Sequence, residues 1–362
     1  MESIYWVLNW ACHRRCTHCY EDRFRPYVRD ALEAVVRESE HAFPQIIANL
    51  PERMTYLDLA SPDDSATGYA EKRGRIIMAG GEVLVDPVRE RVLYPVLEAL
   101  NAKYRNAGGV EISIQTTGDL VTEKILEELR ERGIRMIAIS GMDDFHVGLE
   151  GDKRTPLIES LHRMFAKTGY TEHSTRGSFG AWQQNDGPTY LFFGATEDQW
   201  IGKIWPRGRA WDNGLSRATI QDNFCNAWSG GLNFLNHAYA GSEVSIDPQG
   251  DVFPCCLKTK APIGNVTEEK LTDILDSLIG HPAFEAINMG HPERMGLQHG
   301  WDVATFYEKS KTVDPKGNAY RNLCIGCDRF HEQVLAPVIE EIRQERLKAK
   351  GILSGPLTAT PA

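Results

Sequence analysis

The sequence contains no run of apolar residues long enough to cross a membrane. A membrane-spanning helix needs about 20 consecutive apolar residues, and the apolar stretches of this 362-residue chain are much shorter. The N-terminus, MESIYWVLNWA, has an acidic residue at Glu2 and no basic segment before its short apolar stretch. This pattern is typical of a buried strand and not of a signal peptide. We therefore expect a cytoplasmic protein with no membrane partner.

The chain also lacks the excess of positive charge that nucleic-acid binding requires. Its 40 basic and 50 acidic residues give a formal net charge of -10, whereas a nucleic-acid-binding face needs a basic surface. We expect no nucleic-acid partner. The hydrophobic fraction of 42% is that of an ordinary globular protein, so the chain is able to form a large core.

The cysteines are distributed unevenly along the chain. The chain has eight cysteines, and the first three occur as Cys12-x3-Cys16-x2-Cys19, with Tyr20 directly after them and the next cysteine at Cys225. Clustered cysteines in a cytoplasmic protein are more often metal ligands or catalytic groups than disulfides. Because a tetrahedral metal site has four ligands, three thiols indicate a site with one position left open.

The first 200 residues alternate strand-like and helix-like segments. The strand-like segments are 3–10, 75–85, 110–118, 134–141 and 189–195, and the helix-like segments are 28–49, 88–106, 121–132 and 154–168. Strands separated by helices indicate βαβ units and a parallel sheet. We predict an α/β fold with a partial (β/α)6 TIM-like barrel, in which function lies at the carboxyl ends of the strands.

The pattern changes after this barrel and becomes rich in polar and turn residues. The segment SEVSIDPQGDVFPCC (242–256) predicts two short strands around the turn Asp247–Gly250. Helices follow near 267–279 and 331–349, and the last residues are typical of a disordered tail. The predicted domains are a barrel over 1–205, a small cysteine-bearing module of β-hairpin and helix over 206–335, and a C-terminal helix with a disordered tail over 336–362.

The motif Cys12-x3-Cys16-x2-Cys19-Tyr20 directly after a first strand resembles the signature of the radical S-adenosylmethionine (SAM) superfamily. Thiolates hold iron–sulfur clusters, and the resemblance implies a [4Fe–4S] cluster with three cysteine ligands. It also implies that SAM binds the fourth iron, is cleaved to a 5′-deoxyadenosyl radical, and so removes a hydrogen atom from the substrate. The alternative is a zinc site completed by His13 or His18, although zinc motifs usually contain paired CxxC units.

Three further segments resemble the SAM-binding strand ends of that superfamily. Met78-Ala79-Gly80-Gly81-Glu82 resembles its GGE motif, and SIQTTG (113–118) resembles its next strand end. AISGMDDFHVGLEGDKR (138–154) resembles the strand whose serine and downstream arginine hold the SAM carboxylate, with Lys153 as a rival of the arginine. The residues that the resemblance places at the cofactor are Tyr20, Gly80, Gly81, Glu82, Thr116, Thr117, Ser140 and Arg154.

The later cysteines resemble the SPASM and twitch modules found behind many radical SAM barrels. Gly250-x4-Cys255 fits their G-x4-C element, and PRGRA (206–210) resembles the segment that links barrel and module. No cysteine follows the last CxxC pair, so the resemblance implies one auxiliary [4Fe–4S] cluster; a zinc ribbon with four thiolate ligands is the alternative. The predicted ligands of this second site are Cys225, Cys255, Cys324 and Cys327.

Cys256 is left without a role as a ligand. Radical epimerases of the superfamily use a non-ligand cysteine to donate a hydrogen atom to the substrate radical, and Cys256 is the candidate for that role. The alternative is a small side chain packed under the cluster. Asp143, Asp144 and His146 are candidate general bases or solvated loop residues, and the segment 180–212 is expected to line the substrate cavity.

We predict a radical SAM oxidoreductase or maturase that modifies a peptide or small natural product by dehydrogenation or cross-linking. Redox-neutral epimerisation of a peptide or amino sugar through Cys256 is one alternative, and a non-catalytic iron–sulfur or zinc protein is another. The predicted partners are the substrate and an electron donor such as flavodoxin or ferredoxin. Because only about ten residues precede Cys12, a separate peptide-recognition protein is a further candidate partner.

Overall fold

A computed structural model describes residues 1–173, 187–195, 203–227 and 230–351 of the chain. Its strands are β1 (Ser3–Val7), β2 (Thr55–Pro62), β3 (Tyr69–Arg73), β4 (Arg75–Ala79), β5 (Glu111–Thr116), β6 (Ile134–Ile139), β7 (Thr171–Glu172), β8 (Thr189–Phe192), β9 (Glu243–Ile246), β10 (Asp251–Phe253), β11 (Gly264–Asn265), β12 (Lys311–Val313) and β13 (Ala319–Arg321). Its α-helices are α1 (Asp30–Asn49), α2 (Asp86–Val88), α3 (Tyr94–Tyr104), α4 (Glu123–Glu131), α5 (Thr155–Lys167), α6 (Gly208–Asp212), α7 (Leu271–Asp276), α8 (Pro282–Asn288), α9 (Val303–Lys309), α10 (Leu323–Phe330) and α11 (Ala336–Ala349). None of the helices within these ranges is both long and apolar enough to cross a membrane. Most of the predicted disordered tail, from residue 352, lies outside the described residues.

Nine of these strands form one sheet in the order β11-β10-β9-β1-β4-β5-β6-β8-β7. From β9 to β7 in that order the neighbouring strands are parallel, and β10 and β11 pair in antiparallel. All residues of β1 and of β4 are buried. One face of these strands packs into the main core, and the other face packs against Trp10, Cys12 and Phe24 of the loop after β1. Over the described ranges the sheet is open, with β7 and β11 at its edges. The predicted α/β fold with a parallel, partial-barrel sheet is confirmed.

Helix α4 shows how the sequence determines the helices that cover this sheet. Thr122 caps its first turn by accepting a hydrogen bond of 3.2 Å from the Ile125 amide, which would otherwise have no partner. Ile125, Leu126 and Leu129 are buried because a spacing of three to four residues puts them on one face. Gly133 follows the helix with a φ of 81°, which suits the chain reversal into β6.

The hairpin predicted around Asp247–Gly250 is confirmed, and it joins the barrel. β9 and β10 pair in antiparallel on either side of the turn, and Gly250 has a φ of 87°, which glycine adopts without strain. β9 also pairs in parallel with β1. The first strand of the C-terminal module therefore continues the sheet of the barrel. The division of the chain into 1–205, 206–335 and 336–362 stays a prediction.

The structure departs from the predicted elements at several points. β1 and β4 end at Val7 and Ala79, earlier than predicted, because the segments after them approach each other, as described below. A hairpin of β2 and β3 lies between α1 and β4 and has no counterpart among the predicted elements. The last helical segment starts earlier than predicted, since α10 continues through a π-helical turn, His331–Leu335, into α11.

A buried ion pair fixes α11 against the C-terminal module. The Arg346 guanidinium donates to both carboxylate oxygens of Glu269 at 2.9 Å. It also donates to Ser277 Oγ at 2.9 Å and to the Ile263 carbonyl at 3.2 Å. The side chains of Arg346 and Glu269 are only 6% and 0% exposed, so each charge depends on the other for its stabilisation.

We predict that Glu269→Ala lowers the free energy of unfolding by about 3–5 kcal/mol, because it leaves the Arg346 charge buried without its partner. The matched control is Glu268→Ala. Glu268 pairs with Arg343, and their side chains are 44% and 25% exposed, so this loss should be about 0–1 kcal/mol. Anaerobic urea unfolding followed by circular dichroism measures both variants, and equal losses would contradict the prediction.

Candidate active site

A cavity opens at the carboxyl ends of the parallel strands. Gly80 follows β4, Thr117 follows β5 and Ser140 follows β6, and all three residues line the cavity. Carboxyl ends of parallel strands meet at one edge of a sheet, which is the usual position of active sites in such folds. This cavity is therefore the candidate active site.

The three cysteines of the first motif lie together at this cavity. Cys12 and Cys16 are buried, Cys19 is half-buried, and all three line the cavity wall. The Cys19 amide donates to the Cys16 carbonyl at 3.4 Å, and the Arg14 amide donates to Cys12 Sγ at 3.4 Å. Burial raises the pKa of Cys12 to about 12 and that of Cys19 to about 11. A thiolate at either position therefore needs a positive partner, such as a metal.

The loop between β1 and α1 that carries Cys12, Cys16 and Cys19 is called the thiol loop below. Arg209 holds it from a distant part of the chain. Its guanidinium donates to the carbonyls of Cys16, Asp22 and Phe24 at 2.9, 3.1 and 2.7 Å. A planar guanidinium with five N–H groups is able to bond three carbonyls at once, which a lysine cannot match. The PRGRA motif (206–210) predicts only a linker. Its second arginine bonds backbone carbonyls 185 to 193 residues away, which no local sequence pattern indicates.

The glycines of the GGE motif pack against the start of the same loop. A Cβ at Gly81 would lie 2.2 Å from the Ala11 carbonyl oxygen, and the Gly81 amide donates to the Asn9 carbonyl at 3.1 Å. Only a residue without a side chain fits at this distance. Gly80 and Gly81 thus fix the path of the thiol loop, and both also line the cavity.

The Glu82 carboxylate is buried and accepts hydrogen bonds from the residues at the end of β5. It is 2% exposed and accepts hydrogen bonds of 2.8 Å from Thr116 Oγ1, Thr117 Oγ1 and the Thr117 amide. Thr116 and Thr117 line the cavity. Glu82 therefore positions two residues that are predicted to contact the cofactor, and its own contact with SAM stays a prediction.

The residues predicted to hold the SAM carboxylate are only partly brought together. Ser140 lines the cavity, and its hydroxyl donates to the Thr116 carbonyl at 3.2 Å. Arg154 and its rival Lys153 lie elsewhere: Arg154 pairs with Asp144 at 2.8 Å, and Lys153 is exposed. Among the described residues, the arginine and lysine side chains that line the cavity are Arg14, Lys203 and Arg209.

Part of the segment predicted to line the substrate cavity, 180–212, lies outside the described residues. These parts are 180–186 and 196–202. Described residues of the segment that line the cavity include Phe193, Ala195, Ile204 and Trp205, which confirms that this part of the segment forms the cavity wall.

Cys256 lines the same cavity as the first three cysteines. It packs against the apolar cluster that contains Tyr5, and the Tyr5 and Tyr20 hydroxyls lie 3.5 Å apart beside it. Desolvation raises the pKa of Cys256 well above its ordinary value. The group is therefore a neutral S–H thiol at the cavity wall.

The turn that begins at Cys255 is tied to the thiol loop by an ion pair. Lys258 Nζ lies 3.1 Å from Glu21 Oε2, with side chains 7% and 14% exposed, and 4.5 Å from the ring centre of Trp10. The Lys258 amide donates to the Cys255 carbonyl at 3.0 Å. Burial opposes ionisation of Glu21, but the hydrogen bond from Arg23 and the Lys258 charge lower the pKa of Glu21 to about 2. Because Glu21 is ionised, the ion pair links the thiol loop to the turn that carries Cys255 and Cys256.

A buried carboxylate–imidazole pair forms another part of the wall. Asp143 Oδ1 lies 2.8 Å from His146 Nδ1, and Asp143 Oδ2 accepts a hydrogen bond of 2.8 Å from the Ala195 amide. The His18 ring centre lies 4.7 Å from that of His146. Of the three predicted bases, Asp143 and His146 line the cavity, whereas Asp144 is exposed. A buried carboxylate that orients an imidazole is an arrangement suited to proton transfer.

The four cysteines predicted to hold the auxiliary cluster come together in the C-terminal module. Cys225 interacts electrostatically with Cys255 and Cys324, and Cys327 interacts with all three. Helix α10 carries Cys324 and Cys327, and Asn322 caps it by accepting a hydrogen bond of 2.8 Å from the Cys324 amide. Burial raises the pKa of all four thiols, as at the first site.

Arg207 lies beside the four cysteines of the module, as Arg209 lies beside the three cysteines of the thiol loop. Below, each of these two sets of cysteines is called a thiol group. Its guanidinium bonds both carboxylate oxygens of Asp328, at 2.9 and 3.0 Å, and it interacts electrostatically with Cys324 and Cys327. The two arginines of PRGRA are separated by one residue and lie at different thiol groups. The motif therefore connects the two candidate metal centres.

Both sets of cysteines fit iron–sulfur clusters in donor chemistry, because thiolates are the usual ligands of such clusters. No trio of cysteine sulfurs among the described residues lies within 4.8 Å of one another, whereas zinc with Zn–S bonds of about 2.3 Å would hold its sulfurs about 3.8 Å apart. Three thiols at an open cavity suit a cluster with one free position, and four enclosed thiols suit a cluster ligated only by the protein.

We predict that replacing Cys12, Cys16 and Cys19 by alanine halves the iron content of the reconstituted protein. Each [4Fe–4S] cluster contains four irons, so the content should fall from about eight to about four per chain. The matched variant replaces Cys225, Cys255, Cys324 and Cys327 by alanine and should lose the other four irons. Iron and zinc analysis after anaerobic reconstitution measures both, and zinc in place of iron in either group would contradict the prediction.

We predict that Arg209→Lys and Arg207→Lys weaken different clusters. A lysine keeps the charge but loses the several hydrogen bonds of the guanidinium, so Arg209→Lys should lose iron from the thiol loop and Arg207→Lys from the module. Each variant is the control of the other. Electron paramagnetic resonance with and without SAM identifies the cluster that remains, and loss of the same cluster in both variants would contradict the assignment.

Comparison with known families agrees with this geometry. The model of the Radical SAM superfamily matches residues 10–177, and that of SPASM, an iron–sulfur cluster-binding domain, matches residues 239–328. Cys225 and the PRGRA motif lie between the two matched regions. Among curated proteins, none matches the chain.

Solved structures with low sequence identity are also similar to this chain. BtrN in complex with AdoMet and 2-DOIA is 15% identical, covers 84% of this chain and 92% of its own, and has a TM-score of 0.41. Native anSMEcpe with bound AdoMet and Cp18Cys peptide is 14% identical, with coverage of 95% and 99% and a TM-score of 0.44. Streptococcus suis SuiB bound to precursor peptide SuiA is 14% identical, with coverage of 79% and 66% and a TM-score of 0.38.

The two family matches include the residues that form the two thiol groups, except Cys225. Radical SAM proteins bind a [4Fe–4S] cluster and SAM, and SPASM domains bind auxiliary iron–sulfur clusters, so these are the cofactors of this protein. The chain belongs to the radical SAM superfamily and has a C-terminal iron–sulfur cluster-binding domain of the SPASM type.

Proposed function

We propose that this radical SAM enzyme exchanges a hydrogen atom without net redox change and so epimerises a carbon centre of a peptide or an amino sugar. The proposal rests on Cys256, a neutral thiol that lines the active-site cavity together with Cys12, Cys16 and Cys19. Neither proposed set of metal ligands includes Cys256. Its hydrogen atom is therefore available to a substrate bound in the cavity.

The other residues of the cavity would hold and orient the cofactors. Cys12, Cys16 and Cys19 would bind the cluster. When bound, the reduced cluster and SAM supply a 5′-deoxyadenosyl radical, which removes one hydrogen atom from the substrate. The cavity residues that would contact SAM are Tyr20, Gly80, Gly81, Thr116, Thr117 and Ser140. Arg14 and Lys203 are the cations that we assign to its carboxylate in place of Arg154.

Cys256 would complete the exchange. Its S–H bond breaks and a C–H bond forms on the substrate radical, which leaves a sulfur-centred radical on Cys256. One electron from an external donor such as flavodoxin or ferredoxin, and one proton, restore the thiol, so the substrate neither gains nor loses electrons. The Asp143–His146 pair is the candidate source of that proton, since both residues line the cavity.

Oxidation of the substrate is the second candidate function, and the position of Cys255 favours it. Cys255 is a proposed ligand of the auxiliary cluster and directly precedes Cys256 at the cavity wall. Cys225, Cys255, Cys324 and Cys327 would hold a cluster there that would supply an acceptor for the electron lost by the substrate, and His146 would accept the proton lost with it. The product would be a dehydrogenated or cross-linked peptide or small molecule.

We expect the reconstituted and chemically reduced protein to convert SAM to methionine and 5′-deoxyadenosine, because this reaction needs only the first cluster. Cys12→Ala should abolish the conversion. Cys324→Ala, which affects the other thiol group, should retain it and serves as the control. Chromatography of the two products gives the result, and a wild-type protein that forms neither would support the non-catalytic alternative.

We predict that the product formed in deuterium oxide contains one deuterium at the inverted carbon, because the S–H hydrogen of Cys256 exchanges with solvent. Assays with a panel of amino sugars and short peptides, followed by mass spectrometry, test this. Cys256→Ser and Cys256→Ala should retain the iron content and SAM cleavage but lose the deuterated product. An oxidised product without deuterium, formed equally well by both variants, would reject epimerisation and support oxidation.

A further inference from the structure

His331 is a fully buried imidazole without a hydrogen-bonding partner. It is 0% exposed, and neither Nδ1 nor Nε2 has a partner among the described residues. Buried polar groups in proteins are almost always hydrogen-bonded. Two unpaired nitrogens on one buried ring therefore point to a partner that the polypeptide itself does not supply.

The sequence positions of Cys324, Cys327 and His331 place these three residues on one helical face. Cys324, Cys327 and His331 are three and then four residues apart, the spacing that puts side chains on the same side of a helix. Helical side chains also lean toward the N-terminus of the helix. The imidazole therefore lies over the turn of α10 that carries Cys327. Arg207, which interacts electrostatically with the same cysteines, also acts on His331.

The backbone and the charge state at His331 are also unusual. The π-helical turn His331–Leu335 begins at this residue, and such turns are rare and frequently occur at functional sites. Burial and the nearby Arg207 charge lower the pKa of His331 to about 3. The ring is therefore neutral at physiological pH and has one N–H group to donate.

We propose that His331 donates its ring N–H to a sulfur atom of the auxiliary cluster and thereby raises the reduction potential of that cluster. The proposal rests on the proposed ligand set of Cys225, Cys255, Cys324 and Cys327. Hydrogen bonds to sulfur stabilise the reduced, more negative form of a cluster. His331 is thus a tuning residue rather than a catalytic one, since it acts through the cluster and not on the substrate.

The test uses the full chain with Cys12, Cys16 and Cys19 replaced by alanine, so that the auxiliary cluster alone is observed. Redox titration followed by electron paramagnetic resonance gives its midpoint potential. His331→Phe fills the space of the ring but has no N–H group, and we expect unchanged iron content and a potential shifted to a more negative value. His331→Leu is a second variant without the donor, in case the phenylalanine does not fold.

Two further variants make the measurement specific. His331→Gln retains an N–H donor and should recover part of the shift in potential. His299→Phe is the matched control: the His299 ring centre lies 6.0 Å from that of Phe330 on the same helix, and this variant should leave the potential unchanged. A shift of equal size in His299→Phe would overturn the proposal.

Three other outcomes would also overturn it. An unchanged potential in His331→Phe and His331→Leu would mean that His331 makes no hydrogen bond to the cluster. Suppose that His331→Phe and His331→Leu lose the auxiliary iron, and that pulsed electron paramagnetic resonance of the parent protein shows a strong coupling to nitrogen. His331 would then be an iron ligand instead. Absence of auxiliary iron before any change at His331 would reject the ligand set itself, and iron analysis distinguishes this failure from the first two.

Discussion

The Arg209 guanidinium fixes the one loop on which the active site depends. The chain between β1 and α1 forms neither a long helix nor a strand, so other elements have to determine its path. Arg209 bonds the Cys16 carbonyl from 193 residues further along the chain, and Gly81 packs against the opposite end of the loop at Ala11. Both contacts are made to the backbone. The thiols of the loop therefore stay free to face the cavity.

The same arrangement ties the two candidate metal centres together. Arg207 and Arg209 are separated by one residue, and each lies at a different set of cysteines. Cys255 likewise lies with the cysteines of the module, whereas Cys256, the next residue, lines the cavity. The parallel pairing of β9 with β1 adds a row of backbone hydrogen bonds between barrel and module. A rotation of the module would break these bonds, so the sheet keeps the two thiol groups at a fixed separation.

Local patterns predicted the parallel sheet, the hairpin at Asp247–Gly250 and the cavity position of the first three cysteines. Sequence spacing was a poor guide where long loops decide the outcome: Arg154 follows a loop of more than ten residues and pairs with Asp144 instead of reaching the cavity. Arg209 was missed because its partners are distant backbone carbonyls, which leave no pattern in the sequence. His331 was missed because a buried, unpaired imidazole becomes evident only when all neighbouring atoms are placed.

Burial has opposite consequences for the ligand thiols and for Cys256. At the proposed ligands, desolvation disfavours the thiolate, so binding of the cluster has to supply the positive charge and to release the thiol protons. Arg207 and Arg209 add positive charge near these sites. Cys256 has no metal to stabilise its thiolate, so desolvation keeps its S–H bond intact. The low polarity that makes cluster assembly demanding is thus the condition that leaves a hydrogen atom on the cavity wall.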